Sequence, residues 1–146
     1  MPWDRQKIKL KSADQVYNML ASAEILASVL LEVRKLVRPG VTTKVLVDAI
    51  EALIRDACSV PSFKGYHGFP ASACISINEE VVHGIPSDRV LIDGDIVGID
   101  IGLIKDGWHA DSAETIAVGE ISEKAAKLIK VTKECCLLYT SDAADD

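Results

Sequence analysis

The sequence predicts a mixed α/β (α+β) fold, in which helices with an apolar face pack against a short antiparallel sheet. Two observations support this class. Long stretches repeat apolar residues every three or four positions, which is typical of amphipathic helices. Further along the chain, two alternating apolar runs flank Asp106-Gly107, a strong signal for a two-residue β-hairpin.

Composition limits the classes of protein and partner. The chain has 146 residues, 49% of them hydrophobic, which suits one domain with a sizeable core. Its formal net charge is −6 and no Lys/Arg cluster with interleaved aromatic residues is visible, so we do not expect direct binding to nucleic acid. The charged N-terminus lacks the apolar centre of a signal peptide, and no apolar run approaches the length of a membrane span. We therefore expect a cytoplasmic protein whose cysteines remain thiols.

A first helix should begin near residue 13. Ser12 and Gln15 have the spacing of a capping box, in which the side chain of each accepts from the backbone N–H of the other. After them an apolar stripe continues to a stop at Pro39 and Gly40. The expected buried residues of this helix are Val16, Met19, Leu20, Ala23, Leu26, Ala27, Leu30, Val33 and Val37.

Two further helices and a short strand follow. Thr42 or Thr43 can cap a helix that runs to about Cys58, and Ser122 can cap a third. Between them, a stretch rich in glycine, proline and aromatic residues is typical of loops around a pocket, with one β-like run at Ala73–Asn78. The expected buried faces are Val45, Ala49, Leu53, Ile54 and Ala57 in the second helix, and Ile121, Ala125, Leu128, Ile129 and Thr132 in the third.

The hairpin places two carboxylates on one side of the sheet. With Asp106-Gly107 as the turn, Gly102 pairs with Asp111, and Asp100 lies two positions further along. Side chains alternate faces with period two, so Asp100 and Asp111 share a face, on a diagonal of about 7–8 Å. Two carboxylates this close repel each other unless a cation lies between them, which favours a two-metal centre. The alternative is that both lie on the solvated face of an antiparallel sheet.

The end of the chain differs in composition from the rest. After Cys136 the sequence LLYTSDAADD becomes small and acidic, with little to bury. Acidic residues at a helix C-terminus oppose the helix dipole, so we expect fraying at Asp145 and Asp146. Residues 137–146 are therefore interpreted as an aberrant or foreign tail.

Two long motifs indicate a family. GYHGFPASACISINEEVVHGIP, followed by GDIVGIDIGLIKDGWHADSAET, resembles the type I methionine aminopeptidases, and the likeness extends from about Ser12 to Glu134. The resemblance implies the first pseudo-symmetric half of a pita-bread fold, with residues 1–136 as the N-terminal part of a single metalloaminopeptidase catalytic domain. It also implies removal of the initiator methionine from nascent polypeptides, with two divalent metal ions of the Co, Mn, Fe or Zn class.

The resemblance assigns roles to individual residues. Asp100 would bind one metal ion through both carboxylate oxygens, and Asp111 would bridge the two ions. His83 would hydrogen-bond the scissile amide region and stabilise the transition state; the alternative is a loop histidine held by backbone groups. His67 would lie near the second residue of the substrate. The pocket for the methionine side chain would be lined by four residues that ordinary core packing could also explain: Phe63, Tyr66, Phe69 and Cys74.

The chain departs from the family in the ligands that it lacks. The complete site requires a further histidine and two glutamates, as ligands or bases, from segments after the third helix, and none is present. We therefore expect the chain alone to have negligible activity and a poorly protected sheet face. The full-length protein would be a monomer that acts on nascent polypeptide N-termini, with the ribosome as a further candidate partner and no membrane partner. His109 shares the face of Asp111, but the family does not use it as a ligand and we interpret it as structural.

Two alternatives stay open. Another class of pita-bread hydrolase cleaves next to proline, although the motif between Tyr66 and Pro86 favours the methionine enzymes. A non-catalytic pita-bread protein would instead bind ribosomes or nascent chains. The presence of Asp100, Asp111 and His83 argues against that second alternative.

Overall fold

The computed structural model describes residues 10–142, with side chains as far as residue 138. Three helices lie in this range: α1 (Ala13–Arg34), α2 (Thr43–Asp56) and α3 (Glu123–Asp142). One antiparallel sheet contains β1 (Val60–Pro61), β2 (Ala73–Ile77), β3 (Ile96–Lys105) and β4 (Trp108–Ala117). A short 3-10 turn, Tyr66–Gly68, lies between β1 and β2. The predicted mixed α/β class is confirmed.

The first helix, α1, begins where predicted and ends earlier. The Ser12 side chain accepts from Gln15 N (3.3 Å) and the Gln15 side chain accepts from Ser12 N (2.9 Å), so the capping box is present. The helix ends at Arg34, before the predicted proline-glycine stop. Proline disfavours helical geometry in the residue before it. Gly40, at φ +88°, then turns the chain so that its N–H donates to Leu91 O (2.8 Å).

Only part of the predicted apolar stripe of α1 is buried. Leu26 and Val33 are at most 3% exposed, whereas Val16 and Leu20 are 44% and 55% exposed. Contrary to expectation, α1 is long and apolar enough to cross a membrane by length and composition, with 22% of the apolar window buried. Its C-terminal half packs in the core with the sheet, while its N-terminal half leaves apolar side chains at the surface.

The second helix, α2, fully buries only Ile54 of the side that was predicted. Thr42 caps it, accepting from Val45 N (3.2 Å), as predicted. Val45 itself is exposed, and the predicted Ala49, Leu53 and Ala57 are only partly buried. Both sides of the helix contain apolar residues at helical spacing. Which of the two sides becomes buried is determined by contact with the sheet. The buried stripe is Thr43, Leu46, Val47, Ile50 and Ile54.

The sheet is organised around β3. β4 pairs with β3 along its whole length, with Gly102 opposite Asp111, which confirms the predicted register. The other edge of β3 pairs with β2 along Val97–Ile101 and with β1 at Leu103 and Ile104. In the turn between β3 and β4, Asp106 has φ +49° and Gly107 has φ +83°, as a type I′ hairpin requires.

The two faces of β3 differ in chemistry. The alternate positions Gly98, Asp100 and Gly102 share one face and carry no apolar side chain. That face is available for a site. The other face joins β2, α1 and α2 in one apolar core through four fully buried residues: Val97, Ile99, Ile101 and Leu103.

The third helix, α3, begins directly after its predicted cap. Ser122 Oγ accepts from Ala125 N (3.2 Å). On the predicted buried face, Ala125 and Ile129 are partly buried, but two further residues of that face are exposed: Leu128 and Thr132. The helix continues to Asp142, so it includes residues interpreted as a foreign tail. The fraying expected at residues 145 and 146 lies outside the described residues.

Candidate metal centre

Asp100 and Asp111 meet on the open face of the sheet. Asp100 lies in β3 and Asp111 lies in β4 opposite Gly102, so both side chains extend to the same side. Burial raises the pKa of Asp100, and the negative charge of Asp111 raises it further. His83 acts in the opposite direction and lowers the pKa of Asp100. The strongest influence after burial is therefore the second carboxylate.

Asp100 also has a polar atom without a partner. Its Oδ1 is buried and accepts no hydrogen bond from any residue in the described part of the chain. An unsatisfied buried polar group costs about 1–3 kcal/mol, and Asp111 beside it adds repulsion. A divalent cation would relieve both effects, because such cations take carboxylate oxygens as ligands. The residues present therefore fit a metal ion held by Asp100 and Asp111.

The carboxylate pair is a partial set of ligands. Within residues 10–142, no group of three or more His, Cys, Asp or Glu side chains is arranged to hold a metal ion. Divalent metals in proteins usually take about four or more ligands. Asp100 and Asp111 therefore leave coordination positions that solvent, substrate or further protein groups must fill.

The loop between β1 and β2, residues 62–72, lies over the open face of β3 and is called the pocket loop. Ser62 N donates to Gly102 O (2.9 Å). A side chain at position 102 would collide with Ser62 Oγ and with the Phe63 ring. Gly102 therefore allows Phe63 to lie against the strand next to Asp111. A glycine inside a strand often marks such a close approach, so this signal was present in the sequence.

At its tip the pocket loop makes a tight turn. Gly65, His67 and Gly68 have positive φ angles of +87°, +46° and +81°. Gly65 N donates to Phe69 O (2.8 Å), and Phe69 N donates to Tyr66 O (2.9 Å). The rings of Tyr66 and His67 meet edge to face with centroids 4.3 Å apart. The turn thus holds the Tyr66 and His67 rings against each other.

His83 reaches the site because its neighbour lies tightly against β2. Ile75 N donates to Gly84 O (2.9 Å), and Gly84 N donates to Ser76 Oγ (3.0 Å). A side chain at position 84 would collide with the backbone of Ile75. His83 itself has φ +60°, and its side chain is exposed but close enough to Asp100 to lower the pKa of that carboxyl.

A cavity of about 760 Å³ brings all of the predicted site residues together. His109 also lines it, although we interpreted His109 as structural; the hairpin register had already placed it on the face of Asp111. Sequence reasoning did not assign Ser62, Gly68, Pro70 or Ile85 to the site, although they line the same cavity. The roles of the predicted residues stay predictions. Those residues are Phe63, Tyr66, His67, Phe69, Cys74, His83, Asp100 and Asp111.

Cys74 provides a neutral wall beside the carboxylates. It lies in β2 opposite Asp100 and is 5% exposed. Burial, followed by the charges of Asp100 and Asp111, raises the pKa of its thiol to about 11. At neutral pH it is therefore a soft apolar surface and not a thiolate nucleophile. Cys58, Cys74 and Cys135 are free thiols in the structure.

Comparison with known proteins decides the family. The model of metallopeptidase family M24 matches residues 17–143, most of the chain. This chain belongs to the M24 metallopeptidases. Membership of M24 agrees with a carboxylate pair that fits a divalent metal ion, and it confirms the family resemblance seen in the two sequence motifs.

Several M24 proteins are similar to this chain along most of its length. The methionine aminopeptidase of Clostridium acetobutylicum is 52% identical over 128 residues, which are 87% of this chain and 51% of that protein. Methionine aminopeptidase 1 of Bacillus subtilis is 49% identical over 116 residues, 80% of this chain and 47% of that protein. The crystal structure of methionine aminopeptidase from Rickettsia prowazekii is 38% identical with a TM-score of 0.86, covering 87% of this chain and 51% of that one. This M24 chain therefore spans about half the length of these relatives, and its architecture is part of the pita-bread fold, as predicted.

Proposed function

We propose that this chain is the N-terminal part of a metal-dependent methionine aminopeptidase that removes the initiator methionine from nascent polypeptides. The main support is the cavity that joins the Asp100 and Asp111 carboxylates to the apolar pocket loop. A relative that is 52% identical is named methionine aminopeptidase, which favours the same substrate here.

In this proposal Asp100 and Asp111 hold two divalent ions of the Co, Mn, Fe or Zn class. When bound, such ions activate a water molecule and polarise the scissile carbonyl. The chain itself contributes a rigid support, because β3 and β4 pair over their full length and the other face of β3 is fixed in the core. A fixed carboxylate pair needs little reorganisation when it takes up a charged group.

The pocket loop accepts the methionine side chain. The apolar, polarisable surface that suits an unbranched thioether is formed by the neutral thiol of Cys74 and by three side chains of the loop: Phe63, Tyr66 and Phe69. His83, exposed beside Asp100, donates a hydrogen bond to the scissile amide region. His67, at the tip of the loop, lies near the second residue of the substrate.

We also propose that the remaining metal ligands and a general base come from outside residues 10–142. Among the described residues, no set of three or more His, Cys, Asp or Glu side chains is arranged to hold a metal ion. The chain also spans about half the length of its relatives. The N-terminal half of α1 and most of β4 are exposed, and a further part of the fold would cover them. The division of the chain at residue 136 stays a prediction.

The proposed setting is the cytoplasm. The net charge of −6 disfavours contact with ribosomal RNA, because phosphate binding needs basic side chains. Recognition of the emerging N-terminus by the cavity itself is therefore the simpler route to nascent chains, and a monomeric full-length protein is sufficient for it.

The test is a chimera that joins residues 1–136 to the C-terminal half of the Clostridium acetobutylicum relative. Released methionine is measured with the peptide Met-Ala-Ser. We expect activity that a chelator removes and that Mn²⁺ or Co²⁺ restores. The activity should fall about 100-fold or more in Asp111→Asn, since even residues that only hydrogen-bond a metal ligand contribute about 10–100-fold. Asp106→Asn is the matched control, because asparagine also suits the type I′ turn.

Two results of this experiment would contradict the proposal. One is full activity in the Asp111→Asn chimera. The other is a chimera that cleaves peptides only next to proline, which would favour the alternative hydrolase class.

A further inference from the structure

Glu51 lies on α2, and its carboxylate joins this helix to the pocket loop. Its Oε2 accepts from Lys64 Nζ (2.7 Å) and from Ser72 Oγ (2.6 Å). Its Oε1 accepts from Arg55 Nη2 (2.7 Å) and from Lys64 Nζ (3.0 Å). Lys64 and Ser72 stand near the two ends of the pocket loop, so one carboxylate connects both ends to the same helix.

The support on each side of Glu51 is firm. On α2, the neighbouring residues Ile50 and Ile54 are fully buried in the core. On the loop, Ser72 is fully buried and directly precedes β2, whereas the Lys64 side chain is 46% exposed. A single exposed ion pair contributes little, but several charge-assisted hydrogen bonds to one carboxylate orient one another. The bond from Lys64, followed by the other hydrogen bonds, lowers the pKa of Glu51 to about 2, so the group stays charged at neutral pH.

Between its two ends, the pocket loop is closed on itself. Gly65 N donates to Phe69 O (2.8 Å), Gly68 N donates to Gly65 O (3.2 Å), and Tyr66 N donates to Phe63 O (3.0 Å). These bonds fix the internal shape of the turn. The position of the turn relative to the cavity depends on how the two ends of the pocket loop are held. Tyr66 is 68% exposed, so packing on the rest of the chain does little to hold it.

We propose that Glu51 is a positioning residue that holds the pocket loop against α2, so that the aromatic side chains of the loop form one wall of the cavity before a ligand binds. The identity of the ligand, a methionine side chain, rests on the proposed function, whereas the ordering of the loop does not. Ordering a binding loop in advance raises affinity, because less entropy is lost on binding. If loss of Glu51 reduces the ordered fraction of the loop to about one tenth, the apparent Kd rises about tenfold.

The experiment compares Glu51→Ala and Glu51→Gln with the unchanged chain. Asp48→Asn is the matched control, because Asp48 lies on the same helix and pairs with Lys44 (3.2 Å), within α2. Amide hydrogen exchange is measured for residues 64–70 and for β3. L-Methionine is then titrated into each chain, and the amide NMR shifts of β2 report binding.

We expect faster exchange of the loop in both Glu51 variants, with exchange in β3 unchanged and the Kd of methionine about tenfold higher in Glu51→Ala. Glu51→Gln keeps an acceptor for Ser72 but loses the charge that attracts Lys64, so its effect should be smaller. Loop exchange equal to that of Asp48→Asn would overturn the proposal. Faster exchange throughout β3 would also overturn it, since Glu51 would then serve general stability. If methionine does not bind the unchanged chain while loop exchange still rises in the variants, the positioning role stands and the proposed substrate fails.

Discussion

Replacing Asp100 with asparagine should stabilise the metal-free chain. Burial and the neighbouring Asp111 raise the pKa of Asp100, so the folded chain disfavours its ionised form. Its Oδ1 is buried with no donor from the described residues, a situation that costs about 1–3 kcal/mol. Asparagine has a similar volume and no charge. We therefore expect the free energy of unfolding of Asp100→Asn to rise by about 1–2 kcal/mol, which is about 2–8 °C in Tm for a chain of this size.

The pH dependence of this gain has a definite sign. Because the folded pKa of Asp100 is raised, the penalty is absent below the ordinary pKa of aspartate and grows as the pH rises through the folded pKa. The difference in Tm between Asp100→Asn and the unchanged chain should therefore be largest at neutral pH. It should shrink as the pH is lowered toward about 4, where the unfolded chain also takes up the proton.

Thermal unfolding followed by circular dichroism, with and without a chelator, measures both effects. Mn²⁺ should raise the Tm of the unchanged chain more than that of Asp100→Asn. A ligand stabilises the folded state in proportion to how tightly that state binds it, and Asp100→Asn has lost one of the two carboxylates. Asp106→Asn, in the exposed turn, should behave like the unchanged chain in both conditions. If Asp100→Asn is less stable than the unchanged chain in chelator at neutral pH, the reasoning is refuted, because the carboxylate would then be well satisfied without a metal.

Three further predictions follow from the site. Gly102→Ala should collide with Phe63 and lower the free energy of unfolding, measured in urea, by about 1–3 kcal/mol. Gly98→Ala should have a much smaller effect, because its added carbon meets only ordinary van der Waals contacts. The slowing of pocket-loop amide exchange by Glu51, relative to Glu51→Gln, should be complete above pH 4.5 and should be lost as the pH falls toward about 2, as read from exchange rates corrected for the intrinsic effect of pH. The chain alone should release no methionine from Met-Ala-Ser, and release that a chelator abolishes would contradict this.

The sequence predicted those parts of the fold that local chemistry determines. The register of the hairpin follows from Asp106-Gly107, because a two-residue turn leaves only one pairing of the flanking strands. Ser12, Thr42 and Ser122 each accept a backbone hydrogen bond at a helix start, which depends on a few neighbouring residues. The predicted buried side of α2 was wrong except at Ile54, because apolar residues occupy two adjacent stripes of that helix. Only contact with the sheet selects one of these stripes.

The candidate site divides in the same way. Asp100 and Asp111 were placed on one face by alternation along the strands, which needs no tertiary information. The pocket loop depends on distant contacts, such as the approach of Phe63 to Gly102. Glu51 gave no signal in the sequence, because a glutamate on an amphipathic helix is ordinarily a solvated residue, and its partners on the pocket loop are 13 and 21 positions away.

The central claim is that Asp100 and Asp111 together hold a divalent metal ion. The most direct measurement is titration calorimetry of Mn²⁺ into the unchanged chain, Asp111→Asn and Asp106→Asn. We predict weak but saturable binding to the unchanged chain and to Asp106→Asn, since two carboxylates are a partial set of ligands, and no binding to Asp111→Asn. Equal binding by the unchanged chain and Asp111→Asn would contradict the account.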